Sequence, residues 1–399
     1  MPRVTSNVGR CALRHRITSY DSKNMRVLNL SLDSQVLEKD SAVQRRLLAF
    51  AEKIGNTTPA LADSGTPFNK GELTVFVPAG RSTVESLSPN LTVQGFGGPK
   101  LFQFFRMWSR AVEEVKKNRY DLITVQDSFF LGFLGVQLGE KCKIPVEIQV
   151  HGFEKMVGGR KQLARFVLGK ATKIRVVSER LKRELNSIFH IPHSKMYVLP
   201  VYTQIDTTQR ISKRKTVPYP FTFLMVGRLV AVKNIGLQIR AIAELIKQIP
   251  HVRLVIVGDG PEKASLKLQV NSLKLEDKIL FEGRQENVST YYGEADAFLL
   301  TSDYEGWGRV VLEAAANKLP SIMTDVGLAQ EVIKNNENGF VISVGDQSEL
   351  VLAMKELIDK PELRERLGEA ALRTFRSLPT QEVQIQKQVT EWQTLISRK

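Results

Sequence analysis

One pattern occurs twice along this chain, with a single interruption. From Arg26 onward, apolar β-type runs (RVLNLSL, LTVFVP, LTVQGF, DLITVQ, PVEIQV, KIRVVS, MYVLPV) alternate with helix-length amphipathic segments such as DSAVQRRLLAFAEKI, PKLFQFFRMWSRAVEEVKK and SERLKRELNSIF. Strands that are apolar throughout and separated by helices form a parallel sheet covered on both faces. At Asp206 the pattern stops: DTTQRISKRKTVPYP is polar, basic and proline-bearing without an apolar period, the composition of an exposed linker. It then restarts with FTFLMV, VRLVIVG, KILFEG, AFLLTS, PSIMTD and GFVISV as strands. IGLQIRAIAELIKQI, PEKASLKLQVNSL, GRVVLEAAANK and DQSELVLAMKELID are the helices between them.

Two doubly wound α/β domains are therefore expected, with a cleft between the carboxyl ends of two sheets, where such sheets bind ligands. A chain of 399 residues also exceeds what one core usually organises. The boundaries read as a basic, disordered leader at 1–24, a first domain at 25–205, a linker at 206–220 and a second domain at 221–380. A terminal helix at 381–399 is expected to return to the first domain. No apolar run approaches the roughly 18 to 20 residues of a membrane-spanning helix. Two cysteines, Cys11 and Cys142, cannot build a disulfide framework or a metal cluster, and the leader lacks the apolar core of a secretory signal. A reducing, cytoplasmic setting is the simplest expectation.

Charge is divided unevenly. Residues 1–216 hold 35 Lys or Arg against 18 Asp or Glu, whereas residues 217–399 hold 22 against 24. The first half therefore favours an anionic partner: a phosphorylated substrate, an acidic lipid surface or nucleic acid.

Polar residues of the second half gather at strand ends. Arg228 and Lys233 follow FTFLMV, just before a helix amino terminus, which suits a diphosphate, although a basic loop is commonly just solvated surface. GDGP, with Asp259, reads as a strand-to-helix turn. In YEGWGRVVLEA, Glu305 stands at a strand end and Glu313 two turns into a helix. Gly306 and Gly308 let backbone approach a ligand, and the N–H groups from Trp307 through Arg309 to Val310 suit an anion. A carboxylate at Glu313 suits a vicinal diol such as a ribose, and Glu305 suits sugar hydroxyls. A helix-face pairing is the plainer reading of Glu313, but its apolar neighbours mean that a carboxylate there needs a partner.

GRLVAVKN, VRLVIVGDGPE, FEGR, ADAFLLTSDYEGWGRVVLEAAA, PSIMTDVG and NGFVISVGD, in this order, resemble the donor domain of retaining glycosyltransferases of family 4, which have the GT-B fold. The resemblance runs from about Phe221 to Leu357. It implies that Arg228 and Lys233 bind the donor diphosphate, that Glu313 holds the nucleotide ribose, and that Glu305 contacts the transferred sugar. Gly306, Trp307, Gly308 and the following backbone correspond to the loop over sugar and phosphate, and Gly283 and Arg284 to the loop against the base. Trp307 stands where phenylalanine is commoner, a change expected to alter the sugar pocket. In the first half, VEIQVHGFE resembles the strand end that carries a histidine near the donor sugar, which makes His151 the candidate, against the plainer reading of a surface or core-edge histidine. The loop from Ser31 to Arg46 lacks the paired glycines usual in the family, so the acceptor side is expected to be built differently.

The resemblance implies a hexosyltransferase that moves a sugar from a nucleotide-diphosphate sugar to a hydroxyl of a glycan or polyprenyl-linked acceptor, as in polysaccharide biosynthesis, with retention. It implies neither metal nor cofactor, and no Asp-x-Asp motif is present. The helix Pro99 to Lys117 mixes aromatic and basic residues. The simpler reading of its aromatic face is core against the sheet; with the charge asymmetry, peripheral association with an anionic inner membrane face is a second expectation. Competing readings are a phosphorylase or epimerase of the same fold, or a nucleic-acid-binding protein. The last lacks a binding module, so no nucleic-acid partner is expected.

Overall fold

A computed structural model describes residues 25–55, 71–152, 158–203, 205 and 220–397; the basic leader and all of the linker but Pro220 lie outside them. The first sheet comprises β1 (Arg26–Leu30), β2 (Glu72–Pro78), β3 (Thr83–Ser88), β4 (Leu91–Phe96), β5 (Leu122–Val125), β6 (Val146–Val150), β7 (Lys173–Val176) and β8 (Met196–Val198). Its helices are α1 (Ala42–Gly55), α2 (Lys100–Lys117), α3 (Phe130–Cys142), α4 (Gly158–Lys170) and α5 (Glu179–Phe189). The strand order is β3-β4-β2-β1-β5-β6-β7-β8, parallel except for β3 against β4.

The second sheet comprises β9 (Phe221–Val226), β10 (Val252–Val257), β11 (Ile279–Gly283), β12 (Ala297–Leu300), β13 (Ser321–Thr324) and β14 (Phe340–Ile342). Their order is β11-β10-β9-β12-β13-β14, all parallel. Around it lie α6 (Ile235–Leu245), α7 (Lys263–Ser272), α8 (Ser289–Glu294), α9 (Arg309–Ala316), α10 (Gln347–Asp359) and α11 (Pro361–Ser377); α12 (Gln381–Ser397) follows. β3, α8 and α11 are absent from the sequence reading.

Side chains alternate across the buried strands as the two-residue period requires. Val27, Leu73 and Leu122 pack under α1 and α12, where Phe50 and Trp392 stack with ring centroids 5.5 Å apart. Leu28, Leu30 and Ile123 face the opposite side, toward Met107 of α2 and Leu134 of α3. The same apolar cluster includes Phe298, Leu300 and Met323 of the second sheet, so the two units share a continuous buried contact.

A polar network seats α12 on the first sheet. Glu147, fully buried in β6, accepts from Tyr197 Oη, from Thr124 Oγ1 at 2.7 Å and from Gln149 Nε2 at 3.1 Å. Arg175 donates to Gln149 at 3.1 Å, to Gln388 of α12 at 2.9 Å, and to the carbonyls of Leu199 and Pro200. A buried carboxylate and a partly buried guanidinium each need such partners, because an unpaired charge in the interior is costly.

The aromatic face of α2 is not simply core, contrary to the simpler expectation. Its buried stripe runs through Met107, Ala111 and Val115 at four-residue spacing, which turns Phe102 and Phe105 outward with 62% and 60% of their surface exposed. Among the described residues, no helix is long and apolar enough to cross a membrane.

Candidate active site

In each sheet one strand separates two directions of winding. β9 lies between β10 and β12, and β1 lies between β2 and β5. At such a point the loops leaving adjacent strands diverge and leave a crevice at the carboxyl edge. The loop after β9 begins with Gly227 and Arg228, and the loop after β12 runs from Thr301 to Gly308. The candidates drawn from the sequence thus meet at the switch point of the second sheet.

Those two loops are fastened together. Lys233 Nζ donates to Glu305 Oε1 at 2.5 Å, and Ser302 Oγ donates to the same oxygen at 2.7 Å. Both charged side chains are mostly buried, Lys233 with 20% of its surface exposed and Glu305 with 12%. Asn234 Nδ2 bonds Asp303 Oδ1 at 2.9 Å, Asp303 N bonds Val232 O at 2.8 Å, and Gln238 Nε2 reaches Thr301 Oγ1 at 2.9 Å. Arg228, by contrast, is exposed, and its guanidinium makes no hydrogen bond or ion pair among the described residues. A free cation therefore stands beside a neutralised one.

Gly308 holds φ at +92° and precedes α9, a left-handed conformation that glycine adopts without steric cost. Gly306 has a different constraint. A Cβ built on it would stand 1.7 Å from the carbonyl oxygen of His151 and 3.2 Å from Gly152 Cα, so the bare backbone of this loop packs against the strand end of the opposite sheet. Trp307 buries its indole in the core with only 6% exposed, while its carbonyl accepts from Leu328 N at 2.9 Å. Its backbone borders the loop, and its ring faces away from solvent. Arg309 is exposed at the start of α9, and Val310 is half-buried.

Glu313 has the partner its apolar setting requires. Tyr292 Oη of α8 donates to Glu313 Oε2 at 2.9 Å, and the ring of Tyr292 packs on Phe298 at 5.7 Å. Burial pushes the Glu313 carboxyl above its ordinary pKa, against the Tyr292 hydroxyl and the Arg309 guanidinium, which pull it down. Burial and the neighbouring carboxylate push Tyr292 far above a usual phenol, so its hydroxyl stays protonated and donates. No sequence signal marked Tyr292; only the need of Glu313 for a partner hinted at a residue there. Gly283, at φ +69° with open space where a Cβ would lie, ends β11 and the exposed Arg284 follows it, with β10 between β11 and β9.

Across the cleft, Ser31 Oγ donates to Gln126 Oε1 at 3.0 Å and bridges the loops after β1 and β5. Asp33 accepts from Gln35 N at 3.2 Å, so this glycine-free loop is closed by side-chain hydrogen bonds. His151 follows β6 at the cleft. Partial burial of its ring first, and then the charges of Arg175 and Arg46, lower its pKa below the ordinary imidazole value. The units are also joined where Glu331 accepts from the backbone N–H of Glu179 at 2.9 Å and of Arg180 at 2.6 Å, at the amino terminus of α5. Arg180 donates to Asp325 beside them.

Comparison with known proteins agrees with this architecture. Residues 207–374 match the family model described as glycosyl transferases group 1, and residues 68–203 the model described as glycosyltransferase family 4. N-acetyl-alpha-D-glucosaminyl L-malate synthase of Bacillus anthracis is 26% identical over 72% of this chain and 77% of its own length. Alpha-monoglucosyldiacylglycerol synthase of Streptococcus pneumoniae is 28% identical over 65% of this chain and 64% of its own, so the chain spans just under two thirds of that relative. Among solved structures, HepE of Anabaena in complex with UDP-glucose superposes with a TM-score of 0.69 at 18% identity, over 94% of this chain and 100% of that one. With both sheets, both switch points and both family matches in agreement, the chain belongs to the group 1, family 4 glycosyltransferases of GT-B fold.

Proposed function

We propose that this glycosyltransferase moves a sugar from a nucleoside diphosphate to a hydroxyl of a glycan or lipid-linked acceptor, with retention of configuration and without a metal ion. The observation that carries the reading is the fastening of the β9 and β12 loops by Lys233, Glu305 and Ser302 at the switch point, with Arg228 left free beside them. In this reading Arg228, Lys233 and the N–H groups opening α9 meet the charge that develops on the leaving diphosphate, the electrostatic task a metal otherwise performs. Glu313, held by Tyr292, accepts from the ribose, and Glu305 orients the sugar. Gly283 and Arg284 border the base. His151 lies near the transferred sugar, and the acceptor hydroxyl attacks from the side the diphosphate leaves.

A lipid-linked acceptor is supported by the outward Phe102 and Phe105 and by the name of the glycolipid synthase among the relatives. In this reading the first domain rests on the inner face of the cell membrane. The test is a panel of nucleotide sugars measured by thermal shift, followed by transfer from the stabilising donor in EDTA and NMR assignment of the product anomer. A ligand that binds only the native state raises the melting temperature by mass action. An inverted product, or activity abolished by EDTA and restored by a divalent cation, overturns the mechanism. No shift with any nucleotide sugar overturns the donor assignment.

A further inference from the structure

The first sheet has its own crevice, at the β1/β5 switch, and apart from His151 its lining has no part in the donor reading. A small cavity there is lined by Asn29, Arg46, Gln126, Gln149, His151 and Arg175 among its polar residues, and on its apolar side by Trp392 among others. Of these, Arg46, Gln126, Arg175 and His151 reach solvent, while Asn29 and Trp392 are buried, and Asn29 Oδ1 and Trp392 Nε1 have no hydrogen-bond partner among the described residues.

The two arginines differ in a way that decides the argument. Arg175 spends its hydrogens on two carbonyls, Gln149 and Gln388. Arg46, half-buried in the second turn of α1, makes no hydrogen bond or ion pair among the described residues. Burial lowers its pKa, Arg175 and Arg309 add to that, and Asp33 opposes it. Asp33 forms no ion pair with it among the described residues; its Oδ1 caps the turn that begins at Ser34. Arg46 lines the same cavity as His151, which follows β6 at the cleft. A partly desolvated guanidinium among cations, without a carboxylate of its own, is poised for an oxyanion that accepts two of its N–H bonds.

We propose that Arg46 holds an anionic group, phosphate or carboxylate, carried by the acceptor next to the hydroxyl that receives the sugar. Gln126 and His151 line the same opening, and the excess of positive charge in the first half draws such an acceptor into the cleft. The inference rests on the transferase reading for the word acceptor, but the anion site itself does not depend on it.

The experiment uses the full chain and its Arg46→Gln and Arg46→Lys variants, titrated by calorimetry with glycerol, glycerol 3-phosphate and glycerate. Each titration is run with and without saturating UDP, and Arg228→Gln serves as the control for the donor diphosphate site. Vesicles of phosphatidylcholine with and without phosphatidic acid form a parallel arm that separates a lipid-borne phosphate from a soluble one. Expected are binding of the anionic glycerol derivatives but not glycerol, and loss of at least about tenfold in affinity in Arg46→Gln, with UDP binding unchanged. Arg46→Lys should recover part of that loss. Equal affinities in wild type and Arg46→Gln, no binding to wild type, or a loss confined to Arg228→Gln overturns the proposal. Failure of UDP itself to bind counts against the donor reading, and the titrations without nucleotide still decide the role of Arg46.

Discussion

Lys233 and Glu305, 72 residues apart, form one ion pair at 2.5 Å across the switch point of the second sheet. Sequence spacing assigned them separate tasks, one on the diphosphate and one on the sugar; the structure makes each the other's partner. In the proposed reading a diphosphate that recruits Lys233 also alters what Glu305 can accept, so the two tasks are expected to be coupled.

The coupling is measurable. Lys233→Met and Glu305→Gln should each lower the transfer rate by about a hundredfold or more, the usual cost of losing one transition-state contact. The double variant should be little worse than the single ones, because each substitution already breaks the pair. Independent, multiplicative losses in a double-mutant cycle on kcat would show that the pair does not act as a unit.

Glu313 should set stability against binding. Its pKa is raised in the fold, chiefly by burial. A raised pKa favours the protonated form in the native state, so this contribution to stability is complete below the unfolded value of about 4.3 and is lost as pH rises through the folded one. At neutral pH the ionised carboxylate is thus a cost. Glu313→Gln is expected to raise the melting temperature while weakening nucleotide affinity at least about tenfold, the loss of a hydrogen bond to a charged acceptor. Tyr292→Phe removes the donor to a buried carboxylate, should cost about 1 to 3 kcal/mol, and should move the pH midpoint of nucleotide binding upward. Unchanged nucleotide affinity in Glu313→Gln would remove the ribose role.

Gly306→Ala tests how closely the units approach. The added methyl carbon would overlap the His151 carbonyl, so the loop must withdraw or the cleft must open. Transfer should fall steeply while UDP affinity changes little, since the proposed diphosphate contacts all come from the second unit. Gly308→Ala acts differently: its left-handed backbone carries a penalty of about 1 to 2 kcal/mol, visible in urea unfolding. Full activity in Gly306→Ala would mean that the contact with His151 is dispensable.

The apolar strand runs were legible, because their composition is set by burial on both faces and requires no knowledge of neighbours. β3 was not: TVESLS is only half covered at the sheet edge, so its pattern carries no continuous apolar run. Arg228, Lys233, Glu305 and His151 could be picked out as candidates because they follow parallel strands, whose carboxyl ends are where such sheets bind ligands. Tyr292 and Arg46 escaped notice because their significance lies in which partner is present or missing. Gly306 was read as room for a ligand, whereas the space beside it is taken by the His151 backbone.

His151 yields a prediction in pH. Its pKa lies below the ordinary value of about 6.5, so the neutral ring is favoured in the fold and acid favours the unfolded chain. Its contribution to stability is present above that value and is lost as pH falls from it toward the folded one. Relative to His151→Gln, wild type should therefore lose stability progressively below about pH 6.5, measured by urea unfolding at each pH. A difference that stays flat down to pH 4 would show that the imidazole titrates as it does in the unfolded chain.

The outward face of α2 makes the last prediction. Phe102 and Phe105 are too exposed to serve the core, Phe130 of α3 beside them is 60% exposed, and the Phe104 and Phe130 rings meet edge to face at 6.3 Å. Lys100 opens the same helix and the exposed Arg106 directly follows Phe105. Aromatic side chains beside cations suit an anionic lipid surface, where rings enter the interface and ammonium or guanidinium groups meet headgroups. Sedimentation with phosphatidylcholine and phosphatidylglycerol vesicles should pellet the protein at low salt and release it as salt screens the charges. Phe102→Ser with Phe105→Ser should weaken partitioning by about a hundredfold, since each ring forfeits roughly 1.5 kcal/mol or more of apolar burial. The transfer rate to a soluble acceptor should be retained in that variant, because α2 carries none of the cleft residues. Equal soluble fractions with and without anionic lipid, for wild type at low salt, would leave the face without a membrane role.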